Sequence, residues 1–260
     1  MFDFLMHHRI QSWLELAAEE LQSALNRDLI VEEKKSASDL VTEMDKQTEK
    51  FLVDKIRTYY PEHKIIGEEG IVDEEVTDVS GMVWIIDPID GTLNFVKQKN
   101  NFGIMIGLFY DGQPVAGYIY DVMAGYLYTG IVGEGAFINN KPIQLKQYQS
   151  IDQSLVMGNV GMFVNNIHNT QAVYKKALGA RAYGSAALEV ISVIRGEASI
   201  YISHALSPWD FAAGYAICSS LGMKVTTLEN KPINILKRSS VIFAHKDVHQ
   251  EAINLLNPTE

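Results

Sequence analysis

Two aspartates that follow an apolar run are the residues of this sequence best placed to do chemistry. Residues 83–86 read Val-Trp-Ile-Ile, which predicts a buried strand, and Asp87 and Asp90 come directly after it. Pro88 between them disfavours a helix, because proline lacks a backbone donor and restricts the residue before it. Two carboxylates at a strand end offer hard oxygen ligands, which suit a divalent cation.

The residues after Asp90 predict a second kind of binding group. Gly91 permits a tight backbone turn, and Thr92 is predicted to be the N-cap of a helix that follows. The free N–H groups at a helix start suit a phosphate, because they lie at the positive end of the helix dipole. Residues 84–95 therefore predict a metal-assisted phosphate site.

Three further segments carry acids in comparable positions. Glu68 and Glu69 follow a short apolar strand pattern, and Asp45 begins a predicted helix. Asp210 lies in the first turn of a helix that Pro208 can open. Taken singly, each acid has a structural alternative, since strand-end acids are usually solvated turn residues and a first-turn aspartate can offset a helix dipole.

The composition predicts a folded chain with a sizeable core. With 260 residues and 47% hydrophobic residues, it can form one large domain or two close lobes. The sequence has no apolar stretch of about 18 residues, and residues 1–10 lack a signal-peptide pattern, so we expect a soluble, cytoplasmic protein with no membrane partner. The single cysteine, Cys218, excludes an internal disulfide and is expected to be a buried, inert thiol.

The net charge of −10 argues against a nucleic-acid partner, which would need basic clusters. It also means that an acidic cleft would repel phosphate unless bound cations reversed the local charge. The acidic balance is therefore consistent with a Mg²⁺ cofactor, although a solvated acidic surface would explain most of it equally well.

The elements that must position these acids follow from hydrophobic periodicity and turn residues. We predict helices over residues 4–26, 45–59, 185–195 and 208–221. Strands are predicted over residues 64–67, 83–87, 102–110, 115–120, 126–130, 198–202, 224–228 and 241–244. The pattern changes near residue 145, which predicts an α+β lobe over residues 1–145 and an alternating α/β lobe over residues 146–260, with a cleft between them.

Six stretches, taken together, carry a family resemblance. They are residues 39–42 with Asp45, 67–69, 84–95, 133–137, 184–187 and 209–214. In order and spacing, this set resembles the inositol monophosphatase family, within the lithium-sensitive, magnesium-dependent phosphatases. The resemblance implies a layered α/β/α/β/α sandwich of the inositol monophosphatase and fructose-1,6-bisphosphatase type. It also implies a homodimer and the Mg²⁺-dependent hydrolysis of a small phosphate monoester by an activated water.

The resemblance also implies roles for individual residues. A first Mg²⁺ would be held by Glu68, Asp87 and the backbone carbonyl of Ile89. A second Mg²⁺ would be held by Asp87, Asp90 and Asp210, and a third, weaker ion beside Glu68 is left open. The implied catalytic residues are Thr92, Asp45 and Glu68, with Thr92 and Asp45 orienting and deprotonating the attacking water. The implied substrate-binding residues are Asp90, Gly91, Thr92, Gly184, Ala186 and Asp210.

One departure from the family pattern bears on the substrate. Ser203 stands seven residues before Asp210, where inositol monophosphatases carry a glutamate that contacts the inositol ring. Inositol 1-phosphate is the expected substrate, but the 2′-phosphate of NADP, fructose 1,6-bisphosphate and 3′-phosphoadenosine phosphates stay open. His204 is expected to be structural, and Lys34 and Lys35 are expected to form a surface pair. A non-catalytic, regulatory homologue is the remote alternative, against which the intact set of acids speaks.

Overall fold

Two β-sheets form the framework of the protein in a computed structural model, which describes residues 2–36, 39–72 and 75–258. The α-helices in the described residues are α1 (Phe4–Ala24), α2 (Glu43–Tyr59), α3 (Thr92–Gln98), α4 (Val160–Val164), α5 (Thr170–Lys176), α6 (Ala186–Ile194), α7 (Pro208–Ser220) and α8 (Lys246–Leu256). None of these helices combines the length and the apolar character that crossing a membrane requires.

The strands belong to one seven-stranded sheet, one five-stranded sheet and a hairpin. The hairpin pairs β1 (Val31–Ser36) with β2 (Asp39–Thr42). The larger sheet contains, in spatial order, β3 (Lys64–Gly67), β4 (Met82–Asp90), β5 (Gly103–Tyr110), β6 (Gln113–Asp121), β7 (Tyr126–Ile131), β8 (Gly135–Ile138) and β9 (Lys141–Pro142). The smaller sheet has the order β11 (Gly179–Arg181), β10 (Leu155–Gly158), β12 (Ala198–Leu206), β14 (Ser239–Ala244) and β13 (Lys224–Thr226).

Alternation along the strands shows how the layers stack. On β4, Trp84 and Ile86 pack in the core formed with α1 and α2, while Val83 and Ile85 pack in the core that contains α6 and α7. On β12, Tyr201 packs in that same middle core, and its neighbours Ile200 and Ile202 pack against α8. Because successive side chains of a strand face opposite sides, each sheet lies between two helical layers. The expected α/β/α/β/α sandwich is confirmed.

Three glycines in neighbouring strands let α7 lie close to the larger sheet. Gly107, Gly117 and Gly130 are directly opposite one another on β5, β6 and β7. A Cβ atom at Gly117 would overlap the carbonyl oxygen of Ala213, and one at Gly130 would overlap the helix backbone. The helix therefore packs backbone against sheet, and its N-terminal turn carries Asp210 to the end of β4.

The structure corrects two predictions at the end of β4. The strand was expected to end at Asp87 but continues to Asp90, with a shift in its register against β5 between these two residues. Thr92 was expected to be the N-cap of α3, but Gly91 occupies that position with a φ of 90° and Thr92 is the first helical residue. The Thr92 hydroxyl does not cap α3, because it is hydrogen-bonded to Asp45 on α2.

Candidate active site

Five chain segments meet at one cavity of about 220 Å³. Its lining residues come from β2, the loop after β3, the end of β4 with the start of α3, the loop before α6, and the start of α7: Leu40, Glu68, Asp87, Ile89, Asp90, Gly91, Thr92, Leu93, Gly184 and Asp210. The structure thus places most of the predicted site residues together. Asp45 and Ala186 do not line the cavity, but each is hydrogen-bonded to a residue that does.

Three carboxylates form the most acidic part of this cavity. Oxygens of Asp87, Asp90 and Asp210 all lie within 4.8 Å of one another. Burial raises the pKa of Asp87 well above its usual value, and its carboxylate neighbours raise it further. Burial also raises the pKa of Asp210 to about 8, again with a contribution from Asp90. No ion pair to these three aspartates is found in the part of the chain that is described, although Arg238 lowers the pKa of Asp210 from a distance.

The start of α6 fixes the orientation of Asp90. The Ser185 hydroxyl donates to Oδ2, the Ala187 N–H donates to the same oxygen at 2.8 Å, and the Ala186 N–H donates to Oδ1 at 3.2 Å. Burial raises the pKa of Asp90, and these hydrogen bonds partly offset that shift. Ser185 was not among the predicted site residues, although it lies inside the stretch 184–187 that carried the resemblance.

Thr92 and Asp45 form a hydrogen-bonded pair beside the acids. The Thr92 hydroxyl donates to Asp45 Oδ1 at 2.8 Å and lies 3.0 Å from the carbonyl oxygen of Ile89. The other carboxylate oxygen of Asp45 accepts from the backbone N–H and the hydroxyl of Thr42, at 2.7 and 2.6 Å. These hydrogen bonds hold the carboxylate of Asp45 in place. Burial raises its pKa, which makes it a stronger base than an exposed aspartate.

Gly91 is the residue where α3 meets the loop before α6. A Cβ atom added there would lie 3.0 Å from the Cβ of Ser185 and 3.1 Å from the carbonyl oxygen of Asn101, and its φ of 90° is one that glycine adopts readily. Glycine is therefore required for this approach. The first N–H groups of α3 have no partner within the helix, as at any helix start.

Glu68 lies in the cavity but outside the group of three aspartates. Its Oε1 is 2.9 Å from Lys34 Nζ, which also contacts Glu69 Oε1 at 2.5 Å. Burial raises the pKa of Glu68 to about 7, and Lys34 partly counteracts that shift. Lys34 is exposed, as expected, but the β1–β2 hairpin also brings it into ion pairs with Glu68 and Glu69, which was not predicted. The side chain of Lys35 lies outside the described residues.

The loop before α6 is held from two sides. Glu189 on α6 accepts from the N–H groups of Tyr183 and Gly184, at 2.6 and 3.3 Å. The Asn94 side chain donates to the carbonyl oxygens of Tyr183 and Asn101, at 2.7 and 2.9 Å. Neither Asn94 nor Glu189 was predicted, because their spacing in the sequence gives no sign of this long-range contact. Both fix the position of Gly184 at the cavity.

The position that departs from the family pattern lies on β12. Ser203 is buried, whereas His204 beside it is exposed. A serine is shorter than a glutamate and uncharged, so it cannot accept a charge-assisted hydrogen bond.

Comparison with known protein families shows to which family the chain belongs. The model of the inositol monophosphatase family matches residues 8–258. The chain belongs to the inositol monophosphatase family. The resemblance drawn from six short stretches of sequence is thereby confirmed over nearly the whole chain.

Relatives within the inositol monophosphatase family include enzymes with different named substrates. The chain is 38% identical over 244 residues to an inositol-1-monophosphatase of Bacillus subtilis, covering 92% of each chain. It is 31% identical over 228 residues to a fructose-1,6-bisphosphatase/inositol-1-monophosphatase of Thermotoga maritima, covering 87% of this chain and 86% of the relative.

A solved structure of the family agrees with the fold. The crystal structure of an inositol monophosphatase/NADP phosphatase complexed with Mg²⁺ and phosphate superimposes with a TM-score of 0.90 at 31% identity, covering 98% of this chain and 96% of that one. The chain is therefore a phosphoric monoester hydrolase of a metal-dependent family.

Proposed function

We propose that this protein hydrolyses small phosphate monoesters with Mg²⁺ as cofactor, and that inositol 1-phosphate is its main substrate. One observation carries the proposal. Three carboxylates, two of them buried, lie within 4.8 Å of one another in one cavity, without an ion pair among the described residues. Such a cluster is unfavourable on its own because the carboxylates repel one another. A hard, divalent cation with oxygen ligands would stabilise it.

We propose that the donor set holds two ions. We assign Glu68, Asp87 and the Ile89 carbonyl to one Mg²⁺, and Asp87, Asp90 and Asp210 to another, and we leave open a weaker third ion beside Glu68. When bound, Mg²⁺ would lower the pKa of water, neutralise the carboxylates and stabilise the charge of the phosphate. All five of these residues line the cavity.

The Thr92–Asp45 pair is suited to accept the proton of the attacking water. The Thr92 hydroxyl can receive a hydrogen bond from water while it donates its own proton to Asp45 Oδ1, 2.8 Å away. The pKa of Asp45 is raised by burial, which brings this base closer to neutral pH. We propose Glu68, which also lines the cavity, as the third residue that acts on the water.

We propose that the phosphate is bound at the start of α3. The N–H groups of Gly91 and Thr92 lie at the positive end of that helix, and they can donate to phosphate oxygens. Because the site is otherwise acidic, these donors and the bound cations must together attract the anion. The full set of proposed substrate contacts is Asp90, Gly91, Thr92, Gly184, Ala186 and Asp210.

Broad specificity is the second candidate function. Ser203 removes the carboxylate with which the family binds the inositol ring, so recognition of the alcohol part is expected to be weaker. Two relatives are named for a second substrate, fructose 1,6-bisphosphate or NADP. These two compounds and 3′-phosphoadenosine phosphates are the alternative substrates.

Residues 1–145 and 146–260 are proposed to form the two lobes of one catalytic unit. The support is that Asp210 comes from the second stretch, whereas Glu68, Asp87 and Asp90 come from the first. A homodimer and lithium-sensitive activity are proposed from membership of the family alone.

The decisive experiment is phosphate release from a panel of substrates, with and without Mg²⁺. The panel contains inositol 1-phosphate, fructose 1,6-bisphosphate, adenosine 3′,5′-bisphosphate and NADP. We expect Mg²⁺-dependent turnover with the highest kcat/KM for inositol 1-phosphate. A higher kcat/KM for another member would favour the broad-specificity enzyme, and no turnover of any member would contradict the proposed function.

A further inference from the structure

Glu49 is a buried carboxylate next to the site, and the proposed reaction does not use it. It lies on α2, and its side chain is fully buried. Its Oε2 accepts from the N–H of Glu69 at 2.7 Å, and its Oε1 accepts from the N–H of Ile71 at 3.0 Å. Both donors are backbone groups of the loop that follows β3 and carries Glu68. A buried carboxylate is costly unless it is hydrogen-bonded, so this arrangement is specific.

The end of β3 is shaped to receive this carboxylate. A Cβ atom at Gly67 would lie 2.5 Å from both Cδ and Oε1 of Glu49, so no larger residue fits while Glu49 keeps its position. The pairing of β3 with β4 ends at Gly67. Beyond Gly67, the carboxylate of Glu49 accepts hydrogen bonds from the backbone N–H groups of Glu69 and Ile71, as a neighbouring strand would do within a sheet.

Glu49 also lies one helical turn from Asp45. Residues four apart on a helix share a face, and both of these side chains are buried. Helix α2 is thus hydrogen-bonded to Thr92 through Asp45 and to the loop that carries Glu68 through Glu49.

We propose that Glu49 is a positioning residue, which holds the Glu68–Ile71 loop in the conformation that receives a divalent cation. The proposal rests on the proposed function, because Glu68 matters to the cation only if the acids bind one. Without Glu49, the loop would have to be ordered by the metal itself, and metal affinity would fall. Once metal is saturating, the loop is in place and turnover is largely restored.

The test is Glu49→Gln, which keeps the size of the side chain but replaces one acceptor with a donor. Mn²⁺ binding is measured directly by isothermal titration, and Mg²⁺ activation is measured with inositol 1-phosphate. Loss of a group that orients a metal ligand typically weakens metal binding about 10- to 100-fold. We expect Mn²⁺ affinity to fall by about tenfold or more, with a matching rise in the half-activating Mg²⁺ concentration and a smaller change in kcat at saturation.

Glu251→Gln is the matched control. Glu251 on α8 also accepts a hydrogen bond from a loop N–H, that of Ile151 at 2.9 Å, but it does not line the cavity. Its variant should leave Mn²⁺ affinity unchanged. Equal Mn²⁺ affinities in wild type and Glu49→Gln would overturn the proposal, and so would an equal loss in both variants.

Hydrogen exchange tests the same proposal if Glu49→Gln does not fold. In the metal-free wild type, the amides of Glu69 and Ile71 should exchange at least about tenfold more slowly than in an unstructured peptide. Exchange at the unstructured rate would overturn the positioning role. A wild type that binds no Mn²⁺ at all would instead refute the proposed function, so the two failures are distinguishable.

Discussion

At the scale of single residues, Asp87 shows how the site opposes stability in the metal-free protein. The side chain is buried, and Ile89 N–H donates to it at 3.1 Å. Glu68, Asp90 and Asp210 each raise its pKa beyond the effect of burial. Such an arrangement costs free energy of folding unless a cation is bound, which supports the proposed role of Asp87 as a metal ligand.

Replacing Asp87 with asparagine should therefore separate stability from activity. Asp87→Asn removes one repelling charge, and the free energy of unfolding of the metal-free protein should rise by on the order of 1 kcal/mol. Phosphate release should fall by at least about 100-fold, because loss of a metal ligand costs more than loss of a residue that merely orients one. Chemical denaturation and kcat are the measurements. A variant that keeps wild-type turnover would show that Asp87 is not a ligand.

Asp87→Asn is a cleaner probe than Asp90→Asn. Asp90 accepts three hydrogen bonds from the start of α6. An asparagine there would place a donor against donors, so lost activity could follow from a displaced helix.

Thr92 gives a second test at this scale. In Thr92→Val the hydroxyl that joins water to Asp45 is missing, and kcat should fall by about 10²–10⁴-fold. The buried Asp45 oxygen would lose a donor, which should cost about 1–3 kcal/mol of stability. Thr92→Ser keeps the hydroxyl and should retain most of the turnover. If Thr92→Val and Thr92→Ser were equally active, the proton route through Thr92 would be wrong.

At the scale of elements, the glycines beneath α7 control where Asp210 lies. Gly117→Ala would force the Ala213 carbonyl away from the sheet, because the added methyl overlaps it. We expect a loss of about 1–3 kcal/mol in the free energy of unfolding and weaker Mg²⁺ activation.

Gly179→Ala on β11 is the control for that variant. Its added Cβ would make only ordinary contacts, at 3.5 Å or more. Both free energies of unfolding come from urea denaturation. Wild-type stability and Mg²⁺ activation in Gly117→Ala would contradict the close packing of α7.

Sequence patterns predicted the elements that are long or regularly patterned. The bounds of β3 were predicted correctly, and α7 was predicted to within one residue of Pro208–Ser220. At Asp111-Gly112, between β5 and β6, both residues have positive φ, as a two-residue hairpin turn requires. The β1–β2 hairpin and α8 were not predicted. The sequence of β1, VEEKKS, is polar and so lacks the apolar pattern of a buried strand. Among the described strands, β1 pairs with β2 alone.

The same contrast holds for the candidate site. The aspartates at positions 87, 90 and 210 follow apolar runs or helix-opening residues, so local sequence was enough to single them out. Lys34, Glu49 and Glu189 reach the site through contacts between residues distant in the sequence. No local pattern encodes such contacts, because they depend on how whole layers pack.

At the scale of the whole molecule, stability without metal should depend on pH in an unusual direction. The pKa of Glu68 is raised to about 7 and that of Asp210 to about 8. Groups with raised pKa values stabilise the fold while they are protonated, and this contribution is lost as pH rises through the folded-state values. Metal-free protein should therefore lose on the order of several kcal/mol between about pH 4, where the carboxyls of the unfolded chain ionise, and about pH 8, the higher of the two folded-state values.

Mg²⁺ should remove that loss, because it binds the ionised carboxylates of the folded state. Thermal unfolding at a series of pH values, with chelator or with excess Mg²⁺, measures both effects. A metal-free Tm that is independent of pH in this window, and unchanged by Mg²⁺, would contradict the electrostatic account of the site.

The most direct measurement is a crystal structure with Mn²⁺, located by its anomalous scattering. The account predicts ions bound at roughly 2–2.5 Å from carboxylate oxygens of Asp87, Asp90 and Asp210, with Glu68 joining the same cluster. Absence of an ion from these carboxylates, at a Mn²⁺ concentration that supports full turnover in solution, would contradict it.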